Sequence, residues 1–208
     1  MPIVLPRWPG PSTAEVTYLD YGTNLDGGPQ GGGPRIHRLG NRFSINVKMP
    51  ALRLEPMLRW GVGARVFLSR LRAGISEGVI YPFPQPGLEI GAPGVPLVSA
   101  AVAANVASLS LQGMRPGYVW REGQFFNVYR ADGRAMLAST TGEAQVAADG
   151  TVALPILPRL RTALAAGSRI NMEPVIEGRL LIKDGFTWSF DPSRFVGLSF
   201  TIEEYGSN

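Results

Sequence analysis

Few residues of this 208-residue chain could do covalent or metal chemistry: a single histidine, His37, no cysteine, and 16 acidic side chains. Without cysteine there is no thiolate nucleophile, no disulfide framework and no thiolate zinc site, and one imidazole cannot build a His-rich cluster within a chain. Neither an Asp-x-Asp-x-Asp-Gly loop nor a His-Glu-x-x-His motif occurs, so no metal site is expected. A Ser-His-Asp triad would have to use His37, which lies in a Gly-Pro-Arg loop, and no nucleophile elbow is expected to serve it. A carboxylate pair for glycoside hydrolysis could be drawn from Glu143, Asp149, Glu173, Glu177, Asp184 and Glu203, but nothing in the sequence selects two that face each other. Glu203 and Glu204 are expected to meet arginines, within the subunit or across an interface. Trp8, Trp60, Trp120 and Trp188 are read as packing residues, with a sugar-binding platform or interface anchors as the alternative.

All but two of the 20 basic residues are arginine, the exceptions being Lys48 and Lys183. The densest stretches, Arg35 to Arg42 and Arg65 to Arg72, are interrupted by apolar residues, so no specific nucleic acid is expected as a partner. Arginine spread along a chain suits polar subunit contacts, because its planar fork pairs with carboxylates and stacks on rings. No apolar run approaches the roughly 20 residues of a membrane span. The start, Met1 to Arg7, lacks a charged segment followed by a long apolar one, so a soluble, cytoplasmically made protein without a membrane anchor is expected.

The elements that must position these side chains are mostly strands. With 26 Gly and 18 Pro beside 45% hydrophobic residues, the chain is turn-rich yet able to build a core. Residues Arg42 to Met49 alternate strictly, with Phe43, Ile45, Val47 and Met49 on one face. Val196, Leu198, Phe200 and Ile202 alternate likewise, and the two segments are natural partners. Between them, Leu54, Leu58, Val62 and Val66 recur every fourth residue, which predicts an amphipathic helix with Pro56 in its first turn. Val79 to Phe83 reads as a short strand, with Pro82 at an edge or an end. The first forty residues read as loop, dominated by the glycine run from Gly27 to Pro34, which is no phosphate cradle because no Gly-Lys-Ser/Thr follows.

A breaker-rich stretch from Gly87 to Pro96 precedes a separate set of short strands. These fall near Ala107–Leu111, Phe126–Arg130, Arg134–Ser139, Glu143–Ala148, Thr151–Leu157 and Arg169–Met172, with Asp149-Gly150 as a two-residue hairpin turn. Arg159 to Ala165 is expected to form one or two helical turns, and Leu180–Lys183 and Phe186–Phe190 to be strands. The fold class is therefore mainly β (α+β): a split β-barrel with one helix, built from 1–94 and 179–208 with 1–34 as an N-terminal arm, carrying an inserted small barrel or sandwich at 95–178.

The run Arg38-Leu39-Gly40-Asn41-Arg42-Phe43-Ser44-Ile45-Asn46-Val47-Lys48-Met49-Pro50, the helix after it, Val79 to Pro84, and the closing Phe195 to Glu204 together resemble the distal-tail and tail-tip (baseplate hub) proteins of long-tailed bacteriophages. The middle of the chain, through Gly123 to Val128, Ala147 to Val152 and Pro155 to Arg161, is similar to β insertions of virion proteins. The resemblance implies a non-enzymatic ring at the end of a tail, with no catalytic, cofactor-binding or metal residues and no cofactor. Its implied partners are further copies of the chain (six, with three as the alternative), the tail tube protein, the tape-measure protein and the hub or baseplate proteins. It implies a place at the virion tail tip. A carbohydrate-binding or carbohydrate-cleaving module, a head-tail connector and another minor tail protein stand as alternatives.

Overall fold

The computed structural model describes residues 1–25, 33–55, 57–58, 61–182, 189–190 and 195–206. The protein is mainly β, with one helix among the described residues, a split barrel carrying a small inserted barrel. Two compact units share the chain. The first comprises Met1–Thr17, Phe43–Pro84 and Glu173–Tyr205, and the second comprises Tyr18–Arg42, Gln85–Met172 and Gly206–Asn208.

The first unit is organised by a six-stranded sheet in the order Ile3–Val4, Val79–Pro82, Val175–Leu180, Ser199–Glu204, Arg42–Lys48 and Thr13–Leu19. Ser199–Glu204 pairs antiparallel with Arg42–Lys48 in the register Phe200 to Val47 and Ile202 to Ile45. On its other side it pairs with Val175–Leu180. Alternation explains the pairing: Phe43, Ile45, Val47, Phe200 and Ile202 are all buried, so a one-residue slip would turn this apolar set to water.

The helix spans Ala64–Glu77 and buries Ala64, Phe67, Leu68, Leu71 and Gly74, the i, i+3, i+4, i+7 stripe of an amphipathic helix. It begins later than its apolar spacing suggests. Met57–Leu58 and Gly61–Val62 instead form a short antiparallel pair, and Gly61 takes φ +151°, which a helix cannot use. A Cβ on Gly63 would lie 1.6 Å from the carbonyl oxygen of Glu55, so glycine here admits a close backbone approach just before the first turn. Phe67 and Tyr81 both meet Phe200, at centroid distances of 6.1 and 5.6 Å, the second edge-on. Each buried ring of this kind stabilises the core by roughly 1.5–3 kcal/mol. Pro82 closes its strand, as expected of a residue without an N–H to offer.

The second unit contains a six-stranded sheet in the order Gly94–Val98, Ser108–Met114, Val152–Leu157, Ala135–Thr140, Phe125–Tyr129 and Ile170–Asn171. An antiparallel bridge from Leu97 to Arg169 joins its first and last members, so the sheet closes on itself as a barrel. Val98 N–H donates to the Ser168 carbonyl at 3.0 Å, and Gly167 N–H donates to the Val98 carbonyl at 2.8 Å. Closure removes the free edges that a small sheet would otherwise expose. Inside lie Trp120, Phe126, Val128, Leu109, Leu111 and Leu154, with Trp120 edge-on to Phe126 at 5.1 Å.

Several local expectations need correction. Strands at Ile3–Val4, Thr13–Leu19, Thr23–Asn24 and Arg35–Ile36 occupy the first forty residues, where a loop was expected; residues 26–32 of the glycine run lie outside the described residues. Residues 159–165 are not helical, because Val102 and Leu164 exchange two backbone hydrogen bonds of 2.9 Å and hold the segment extended. The strand expected at Leu180–Lys183 runs earlier, over Val175–Leu180. Part of Phe186–Phe190 lies outside the described residues, and Ser189–Phe190 is a strand. Around Asp149-Gly150 the turn is wider than two residues: Gly150 N–H donates to the Ala147 carbonyl, Ala147 N–H donates to the Thr151 carbonyl, and Gly150 sits at φ +79°. That is the turn-plus-bulge form of a hairpin connection.

Gly178 lies opposite Glu204 and has room for nothing larger, since a Cβ there would lie 2.0 Å from the Glu203 carbonyl oxygen. Gly178→Ala should therefore cost more than about 2 kcal/mol in chemical denaturation, whereas Gly197→Ala, with open space around its Cβ position, should stay within about 0.5 kcal/mol. Burial also pushes the Tyr81 hydroxyl up to about 12. A raised value means that the stability tied to the neutral phenol is complete below the ordinary tyrosine range near 10 and is lost as pH rises toward 12. Denaturation at stepped alkaline pH should show this loss, and Tyr81→Phe should flatten it.

Candidate functional site

The described acids have separate structural settings. Asp149 accepts from the Thr151 hydroxyl at 2.7 Å and from its N–H at 3.0 Å, and these bonds hold its carboxyl below the usual range while the turn is formed. Glu143 is exposed in the second unit. In the first unit Glu173 is exposed and pairs with Arg7 at 3.3 Å. Glu177 and Glu204 are buried, Glu204 accepting from the Phe43 N–H at 3.2 Å, and Glu203 stands directly across the strand pair from Arg179. Asp184, Trp60 and Trp188 lie outside the described residues. No group of three His, Asp or Glu side chains suited to a metal ion occurs among the described residues.

The chain does hold one Gly-x-Ser-x-Gly string, Gly74-Ile75-Ser76-Glu77-Gly78, which corrects the expectation of no elbow sequence. It forms the last turn of the helix rather than a strand-to-helix corner, so Ser76 is not presented as a nucleophile elbow presents it. Trp120 is fully buried in the barrel core and offers no sugar platform, while Trp8 is 64% exposed.

What the sequence reading missed is the organisation of residues 18–42. Thr23–Asn24 pairs antiparallel with Arg35–Ile36, and the Leu25 N–H donates to the Pro34 carbonyl at 3.0 Å. Arg35 braces the hairpin from within: one guanidinium nitrogen donates to Asn24 at 2.9 Å and another to Asp20. Asp20 also accepts from the Gly22 N–H at 2.7 Å. Below the hairpin, Asn41 accepts from the Tyr21 N–H at 2.7 Å and donates to the Tyr18 hydroxyl at 2.9 Å, while the Arg42 guanidinium lies 4.8 Å over the Tyr21 ring. Asp26-Gly27 between the two strands is the turn signal that could have announced this hairpin, but the flanking residues lack the apolar alternation that marks strands.

This arm carries large apolar side chains into solvent. Leu25 and Ile36 are each 46% exposed, Tyr21 and Leu39 are similarly open, and His37 stands exposed among them. A hairpin braced by polar contacts with several large apolar side chains exposed on it is a candidate contact surface. Among the described residues no helix is long and apolar enough to cross a membrane.

The Gly22 N–H, and after it the Arg35 charge, hold the Asp20 carboxyl below its ordinary range. In an NMR titration Asp20 should titrate below the ordinary aspartate range, and Arg35→Ala should raise it only part of the way, because the Gly22 hydrogen bond remains. A depressed carboxyl adds stability above its unfolded value and loses it as pH falls through the folded one, so the arm should loosen on the acid side. No protein-family model matches this chain, and no curated protein matches it in sequence.

Proposed function

We propose that the chain is a non-enzymatic structural protein of a bacteriophage virion. In this reading it is one subunit of a ring at the distal end of a long tail, joining the tail tube to the tail-tip hub or baseplate. The observation that carries the reading is the architecture: a split barrel with one helix, its strands drawn from both ends of the chain, with a closed barrel inserted between Pro84 and Glu173. The braced arm supports it, since a ring subunit needs a rigid projection with apolar side chains to meet a neighbour. The scattered carboxylates, several of them engaged in turns, ion pairs or strand contacts, and the lone exposed histidine agree with work done by contact.

Six copies per ring are expected, with three as the alternative, and the tail tube, tape-measure and hub proteins as neighbours. Native mass spectrometry and electron microscopy of the purified chain, alone and with its tail partners, test this. A closed homo-oligomer that enters tails supports it, and a monomer that never joins a virion overturns it. Replacing Leu25 and Ile36 together by Asp should dissociate the ring while leaving the melting temperature of the monomer within a few degrees, because both side chains are already half in water.

A further inference from the structure

We propose that the second unit binds a carboxylate-bearing saccharide in a cleft of about 450 Å³ lined by Glu89, Arg115, Tyr118, Arg121 and Gln124. The volume lies within the range of small-molecule sites.

The cleft is built by a repeated turn. In Arg115-Pro116-Gly117-Tyr118 the Tyr118 N–H donates to the Arg115 carbonyl at 3.1 Å, with Gly117 at φ +76°. In Arg121-Glu122-Gly123-Gln124 the Gln124 N–H donates to the Arg121 carbonyl at 3.1 Å, with Gly123 also at φ +76°. Both turns need glycine at their third residue for that positive φ, and proline suits the second position of the first. They bracket the two-residue strand Val119–Trp120, which is held by pairing with Ala144–Gln145 and by the fully buried Trp120. The same turn used twice thus sets an arginine at each end of a fixed strand, both on one cleft.

The fourth residues of the two turns are tied together. Gln124, only 2% exposed, donates from Nε2 to the Tyr118 hydroxyl at 3.2 Å and accepts from the Arg121 N–H at 3.2 Å. The Tyr118 hydroxyl, as an acceptor in that bond, keeps its own hydrogen to donate into the cleft. The guanidiniums of Arg115 and Arg121 and the carboxylate of Glu89 make no ion pair or side-chain hydrogen bond among the described residues.

These groups select a ligand class. Planar guanidinium forks match a carboxylate in two-point geometry. Glu89 accepts hydrogen bonds from hydroxyls and repels a bare polyanion, so a compact ion such as phosphate fits poorly. A neutral sugar would leave both guanidiniums unused. A sugar acid supplies the carboxylate for the arginines and hydroxyls for Glu89. This inference is independent of ring assembly, because every group involved lies in one unit of one chain.

Calorimetry of the full chain with a galacturonic acid trisaccharide, a neutral galactose trisaccharide and inorganic phosphate tests the site. The uronide should bind once per chain, more weakly as salt is raised. Arg115→Ala and Arg121→Ala should each weaken it about tenfold or more, and Glu89→Gln less, with melting temperatures unchanged since all three side chains are exposed. Should a variant melt lower, uronide-induced shifts of the Gly117 and Gly123 amides in the unaltered chain decide the location. Absence of uronide binding, equal binding of the neutral sugar or of phosphate, or affinity retained when both arginines are replaced would overturn the proposal.

Discussion

Everything in the first unit depends on the register in which Ser199–Glu204 lies between Arg42–Lys48 and Val175–Leu180. This strand brings Phe200 to the two rings of Phe67 and Tyr81, linking the helix and the neighbouring strands to one aromatic centre. Its flank against Val175–Leu180 admits no side chain at Gly178, so two backbones meet at closer range than any other residue would allow. The buried Glu204 adds a polar tie by accepting the Phe43 N–H. Apolar alternation, one glycine and one carboxylate together exclude the slipped registers.

The second unit solves a different problem with related means. A small sheet has edges to hide, and the Leu97 to Arg169 bridge hides them by closure. Beside the strand Phe125–Tyr129, the Gln85 side chain meets the backbone of Phe125. Its amide nitrogen donates to the Phe125 carbonyl at 3.1 Å, and its amide oxygen accepts the Phe125 N–H at 2.7 Å. A side chain thereby reproduces both halves of a ladder rung, satisfying groups whose isolation would cost about 1–3 kcal/mol each.

Strands buried on one face were legible because their pattern is the physics that selects them: Arg42–Lys48, Ser108–Met114 and Val152–Leu157 alternate in burial much as they alternate in sequence. The start of the helix was not, since Leu54, Leu58 and Val62 keep a helical spacing over a stretch where Gly61 and Gly63 serve close backbone contacts. Residues 159–165 have no local feature that announces the pairing of Leu164 with Val102, and tertiary hydrogen bonds override their helical tendency. The arm depends on Asp20, Asn24, Arg35 and Asn41 meeting across long separations, which no motif encodes. The cleft did leave a trace, in two Arg-x-Gly turns six residues apart. Its significance appears only once Tyr118 and Gln124 are seen to touch.

The order in which the chain is made gives the central strand a further consequence. Every strand of the inserted barrel lies between Gly94 and Asn171, a contiguous stretch that can close as soon as it is synthesised. Ser199–Glu204 is made after all other strands of both units, yet it occupies the interior of the first sheet. In the finished sheet it covers one edge of Arg42–Lys48 and one edge of Val175–Leu180, and it brings the Phe200 ring to the helix. The strand at the centre of the first sheet is thus separated from its neighbour Arg42–Lys48 by the whole of the inserted barrel, so this sheet can be completed only across a long loop of chain.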